Sequence, residues 1–130
     1  MSESGRTDLS VGLTAVAITL TLTVYGQMIV KWRVLKAGPL PADLTRKLVF
    51  LAGLLFDPWV MSSMCAAVVA ALSWMAAMTK LELSYAYPFM SLAFVLVLIL
   101  SAVIFHEAVT MPKVLGMVLV IVGISIASQG

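Results

Sequence analysis

Between Asp8 and Lys31 the chain runs for 22 residues, Leu9 to Val30, without a charged side chain, and it does so again for 22 residues from Pro58 to Thr79. A third run, Leu83 to Phe105, has 23 such residues, and a fourth, Val114 to Gly130, has 17. A helix rises about 1.5 Å per residue and the hydrocarbon core of a bilayer is about 30 Å thick, so the first three runs are long enough to span and the fourth comes close. Helix is the state these runs must take, because a strand or loop isolated in lipid leaves backbone N–H and C=O groups unpaired. The expectation is an all-α integral membrane protein of four transmembrane helices, at about 9–30, 58–79, 83–105 and 112–129, forming one domain over residues 1–130.

Composition removes several function classes. Hydrophobic residues make up 62% of the chain and charged ones 11%, against about 25% charged in soluble domains. One hundred and thirty residues leave no room for a separate cofactor-binding fold, and no cofactor is expected. A net charge of +2 argues against nucleic acid as a partner. One cysteine, Cys65, and one histidine, His106, exclude an intramolecular disulfide and a zinc cluster of Cys and His alone. The nine methionines fit adaptable lipid or core contacts better than a metal path. The first run is longer than a signal-peptide core and follows Glu3 and Asp8, so it is read as a permanent span.

The connection from Lys31 to Asp57 places Leu44, Leu48, Leu51 and Leu55 at helical spacing, with Arg46 and Lys47 on another face. This pattern predicts a short interfacial helix over about 43–56; its uncharged part is too short to cross. The alternative is an N-terminal extension of the second span, broken at Asp57 and Pro58. Lys31, Arg33, Lys36, Arg46, Lys47 and Lys113 fall on one side, Arg6 and Lys80 on the other. The positive-inside rule then makes the long first loop cytoplasmic and puts both termini outside.

No Asp or Glu lies within the four runs, whereas proton-coupled carriers usually need a carboxylate at mid-depth. The first span instead carries Thr19, Thr23, Gln27 and Lys31, spaced by four on one helical face. The threonines have a bland reading as donors to their own i−4 carbonyls. Gln27 and Lys31 are the stronger candidates for lining a pathway. The third span opens on Tyr85-Ala86-Tyr87-Pro88 and Ser91, where Pro88 frees a carbonyl near Ser84 and the tyrosines also suit an aromatic belt. It closes on His106 and Glu107, either a surface pair or a head-group or gating pair; Lys80 and Glu82 make a similar pair. Ser62, Ala66 and Ala70, and Ser63, Ala67 and Ala71, form small-residue faces, as do Gly116 and Gly123 on the fourth span.

Gly26-Gln27 followed by Lys31, then Ala86-Tyr87-Pro88 with Ser91-Leu92 and Phe94-Val95, then His106-Glu107 and a fourth span rich in Gly and Ile, resemble the small multidrug resistance-like branch of the drug/metabolite transporter superfamily. Within it, the similarity is to subunits of the 4-amino-4-deoxy-L-arabinose-phosphoundecaprenol flippase, and it covers the chain from about Thr23 to Ser128. The first loop is longer here. In drug-exporting members an essential glutamate stands three residues before the glycine matching Gly26; this chain has Thr23 there, which cannot ionise.

The resemblance implies a flippase of the bacterial inner membrane, not an enzyme, that moves a polyprenyl-phosphate-linked sugar among membrane lipids. It implies four-helix protomers paired as a homodimer, or as a heterodimer with a similar small subunit, in contact at Gly116 and Gly123. On this reading Lys31 and Arg33, with Arg46 and Lys47, attract the phosphate. Gln27, Tyr87 and Ser91 replace water around the sugar, and His106 and Glu107 bind or gate. Two other expectations compete: a proton-coupled exporter of cationic drugs or metabolites, and a non-transporting scaffold for a glycosyltransferase.

Overall fold

The computed structural model describes residues 2–130. They form six helices: α1 (Glu3–Ala37), α2 (Leu44–Leu55), α3 (Pro58–Met78), α4 (Leu83–Met90), α5 (Leu92–Ile104) and α6 (Met111–Ala127). No strand occurs among the described residues. α1, α3 and the Leu83–Ile104 stretch made by α4 and α5 are each long and apolar enough to cross a membrane, and α6 is a shorter apolar helix. Three helical stretches of this kind make the chain a multi-pass membrane protein.

α1 is longer than the charge-free run that marks it. Ser2 caps its start, accepting from the Gly5 N–H at 3.1 Å, with Glu3 in the first turn, where a carboxylate meets the positive end of the helix dipole. Its 35 residues measure about 52 Å, roughly 20 Å more than the hydrocarbon core. Charge excludes a residue from lipid but not from a helix, so Glu3, Arg6 and Asp8 at one end and Lys31, Arg33 and Lys36 at the other stay helical. The helix stops at Gly38, whose φ of 90° suits glycine, and Pro39 follows.

α2 is a helix in its own right. A bend at Phe56 and Asp57 separates it from α3, so it does not continue the second span. None of its residues is buried, and it touches only α1 and α3. Asp57 starts α3, with its carboxylate accepting from the Trp59 and Val60 N–H groups at 2.9 and 3.4 Å and Pro58 in the first turn.

The expected single third span is two helices. Proline removes an N–H and crowds the preceding turn; three residues after Pro88 the chain tightens, with the Ser91 N–H on the Pro88 carbonyl and the Phe94 N–H on the Ser91 carbonyl, both at 3.0 Å. α5 ends where the Ser101 carbonyl accepts from the Phe105 and Glu107 N–H groups at 3.0 and 3.3 Å. His106 turns the chain there at φ 56°, a left-handed conformation that histidine tolerates better than most residues. The loop that results points Glu107 back toward α1.

α1 is central and packs on α2, α3, α4 and α5, whereas α6 lies against α4 and α5. The buried residues are small: Gly12, Ala15, Val16, Thr19 and Val24 on α1, Val60, Ser63, Ala66, Ala70 and Ala77 on α3, Ala86 on α4 and Ser101 on α5. Lipid tails are as apolar as leucine, so helices in a bilayer gain from close backbone approach more than from burying large side chains. The two faces expected on α3 merge into one stripe through Ser63, Ala66 and Ala70, because a 3.6-residue period follows alternating steps of three and four rather than fours alone. Ala67 and Ala71 are exposed and line a groove instead.

Candidate functional site: a groove between α1 and α3

A groove of about 440 Å³ runs along the α1–α3 contact, with Thr19, Thr23, Gln27 and Val30 on one wall and Ser63, Ala67 and Trp74 among the residues opposite. The stripe read from the sequence therefore faces a real concavity as far as Gln27. Both threonines bond as a membrane helix favours: Thr23 Oγ1 donates to the Thr19 carbonyl at 2.7 Å, and Thr19 Oγ1 lies 2.9 Å from the Ala15 carbonyl and 3.3 Å from that of Ala70 across the interface. Their hydroxyl oxygens keep free lone pairs. Gln27 is exposed on the groove wall. Among the residues lining the groove there is no Asp, Glu, Lys, Arg or His.

Lys31 stands just past the groove's loop end, its Nζ 3.3 Å from Glu107 Oε1. The pair is open, with 46% and 39% of the two side chains accessible, and such surface pairs are worth about 0–1 kcal/mol. Glu107 thus answers Lys31 across the bundle rather than its neighbour His106, which is exposed. Lys113 Nζ donates to the Ala108 carbonyl at 2.9 Å. At the opposite end Lys80 pairs with Asp8 at 3.2 Å, not with Glu82, because the long α1 carries Asp8 alongside the α3–α4 turn.

Arg33 is held differently. Its Nε and Nη2 donate to Asp57 Oδ2 at 3.1 and 2.6 Å, and only 25% and 15% of the two side chains is accessible. Trp32 meets Trp59 edge to face at 5.4 Å between ring centres, while Arg33 and Lys36 approach the Trp32 ring at 5.0 and 4.7 Å. The Arg33 hydrogen bond holds the Asp57 carboxyl below its ordinary range; partial desolvation opposes this, and the Trp59 and Val60 N–H groups add to it. A carboxylate with a lowered folded pKa stabilises fully above its unfolded value of about 3.9, and that stability is lost as pH falls through the folded value. Thermal unfolding in detergent is therefore expected to show an acid-side loss that Asp57→Asn diminishes, with no difference in slope between the two proteins from pH 5 to 8.

Tyr87 and Ser91 lie in a second cleft of about 410 Å³ with Thr19, Trp74 and Met90. Trp74 meets Tyr87 edge to face, ring centres 6.0 Å apart and planes at 77°. Thr19 and Trp74 line both concavities. Trp74 was not singled out from the sequence; its signal is a large ring among the alanines of the C-terminal half of α3. Gly116 and Gly123 lie on α6, which has no buried residue. A side chain built at Gly123 meets nothing within 4 Å, and one at Gly116 only the tip of Phe94 at 4.0 Å. No group of three His, Cys, Asp or Glu that could hold a metal occurs among the described residues.

A row of hydroxyls and one amide along an otherwise apolar groove between two membrane-length helices is the kind of path a transport subunit needs. A probable 4-amino-4-deoxy-L-arabinose-phosphoundecaprenol flippase subunit, ArnE, of Aeromonas salmonicida is 36% identical over 102 residues, covering 78% of this chain and 83% of that protein. The protein of the same name in Aeromonas hydrophila is 35% identical over the same shares, and that of Pseudomonas aeruginosa 27% identical over 85% of this chain and 91% of its own. The chain belongs to the family of these ArnE flippase subunits, which are transporters and not enzymes. No family model and no solved structure matches the chain.

Proposed function

We propose that the chain is one subunit of a bacterial inner-membrane flippase for a polyprenyl-phosphate-linked sugar, undecaprenyl-phosphate aminoarabinose or a related glycolipid. The observation that carries this reading is the α1–α3 groove: uncharged, mainly apolar, crossed by a row of threonine hydroxyls and the Gln27 amide, with the accessible cation Lys31 just past its loop end. The head group passes along the groove while the prenyl tail stays in lipid. Gln27 and the threonine oxygens replace water around the sugar, and Lys31 meets the phosphate. Arg33, committed to Asp57, shapes the mouth of the groove, and His106 sets the turn that presents Glu107.

In this arrangement the single domain makes four crossings, with α6 the fourth, and α2 lies in the interface with Arg46 and Lys47 toward water. The Lys31–Asp57 loop is cytoplasmic. Two such small subunits, alike or merely similar, pair through α6. The lack of a carboxylate in the groove weighs against proton-coupled drug export. A singly negative head moving outward gains about 2.3 kcal/mol per 100 mV, but a zwitterionic aminosugar phosphate gains almost nothing. Direction then comes from consumption of the lipid on the far face.

The test is reconstitution of the complex, isolated from its native membranes, into vesicles carrying fluorescent undecaprenyl-phosphate aminoarabinose in one leaflet. Transfer to the other leaflet without a proton gradient is the expected result. Transfer of a cationic dye, dependent on a proton gradient and with the lipid left in place, overturns the reading.

A further inference from the structure

We propose that Trp74 and Tyr87 form an aromatic corner that recognises an ammonium group on the transported head, at the point where the two concavities meet. The inference rests on the flippase reading above and adds the feature by which the head group is selected.

Position is the first support. The α1–α3 groove extends from Thr19 toward Val30 and the loop end, whereas the second cleft extends from Thr19 and Ser91 toward Tyr87 and the opposite end. Thr19 is near the middle of the charge-free stretch of α1, and its hydroxyl reaches the Ala70 carbonyl there. Trp74 is one turn along α3 from Ala70, and a helical side chain covers the turn N-terminal to its own Cα, which carries the indole back toward that contact. Trp74 lines both concavities, so a head group moving from one to the other meets this ring.

Chemistry is the second. Neither concavity has an acidic residue in its walls, so an amine entering them finds no carboxylate. It does find two ring systems packed edge to face with planes at 77°, one half-buried and the other 64% exposed, in a cleft that Thr19 and Ser91 also line. Aromatic faces attract cations through their quadrupole, tryptophan most strongly, and more so where water is scarce. The corner thus suits an aminosugar, whose ammonium sits over a ring while its hydroxyls meet the serine and threonine oxygens. A volume of about 410 Å³ falls within the range of small-molecule sites, about 300–1,000 Å³. An uncharged N-acyl sugar fits the same space without the attraction.

The experiment measures binding of three lipids to the complex in nanodiscs: undecaprenyl phosphate, its 4-amino-4-deoxyarabinose derivative, and the N-acetylated form of that derivative. The protein as it stands is expected to prefer the free amine over the acetyl form by about tenfold. Trp74→Phe, which keeps a ring, retains a smaller preference, and Trp74→Leu abolishes it by weakening binding of the free amine about tenfold more than binding of the acetyl form. A purely structural role for Trp74 would weaken both sugar lipids alike. An amine-to-acetyl ratio that is the same in Trp74→Phe as in the unaltered protein overturns the aromatic corner and leaves the flippase reading standing. Equal binding of all three lipids to the unaltered protein overturns both.

Discussion

Alanine at position 31 is expected to lower lipid transfer about tenfold or more, whereas glutamine at position 107 leaves transfer intact or raises it. The two side chains form one ion pair, 3.3 Å apart and open to water. If the pair served only to brace α1 against the α5–α6 loop, Lys31→Ala and Glu107→Gln would act alike, and weakly, since exposed pairs are worth about 0–1 kcal/mol. A lysine that receives phosphate breaks that symmetry. Losing it removes a charge-assisted contact worth about 1.5–3 kcal/mol, or ten- to a hundredfold. Losing its protein partner frees it for the lipid. Initial transfer rates in vesicles for the two single variants decide the matter: equal effects assign the pair a bracing role and take Lys31 out of the substrate path.

Leucine at both Gly116 and Gly123 is expected to convert the paired assembly to separate protomers while each protomer keeps its helix content and thermal stability. The structure makes this substitution unusually clean. α6 has no buried residue, and a Cβ at Gly123 meets open space while one at Gly116 only touches the tip of Phe94, a flexible neighbour at 4.0 Å. Replacing glycine within a helix also gains up to about 1 kcal/mol of intrinsic propensity. Any loss must therefore come from what lies outside the protomer. Native mass spectrometry reads the result as a fall from the dimer mass to the monomer mass; a dimer that survives both leucines locates the contact on another helix.

Much of the architecture is readable without coordinates, because a bilayer punishes charge at depth so severely that Leu9–Val30 and Pro58–Thr79 announce themselves. The same rule says nothing about where a helix ends in water, so the seven added residues at the C-terminal end of α1 were invisible to it. Pro88 signalled a disturbance but not that the chain would tighten at Ser91. Ionic partners were the least legible feature. Local spacing suggested Lys80 with Glu82 and Glu107 beside His106, yet the structure joins Lys80 to Asp8 and Glu107 to Lys31. It also ties Arg33 to Asp57. These contacts depend on which helix ends come together, and that depends on packing over the whole chain. Thr19, Thr23 and Gln27 were visible as a stripe because they share one helix; Trp74 and Tyr87 meet only through the fold.

The buried stretch of the α1–α3 contact is made of Gly, Ala, Val, Ser and Thr, the larger contacts of Trp32 with Trp59 and Arg33 with Asp57 gather at its loop end, and no large side chain is fully buried anywhere among the described residues. Interlocked leucines and phenylalanines resist relative motion because each must leave one hole before it finds the next. Short side chains present a smoother bearing. A small shearing displacement of α1 against α3, of the kind by which packed helices accommodate alternative states, would need few rotamer changes along this stretch and would be resisted at the loop end by the Arg33–Asp57 and Trp32–Trp59 contacts. The hydroxyl of Thr19, held mainly by its own helix at 2.9 Å and more loosely by Ala70 at 3.3 Å, keeps its nearer acceptor through such a slip, so the stroke leaves no buried donor stranded.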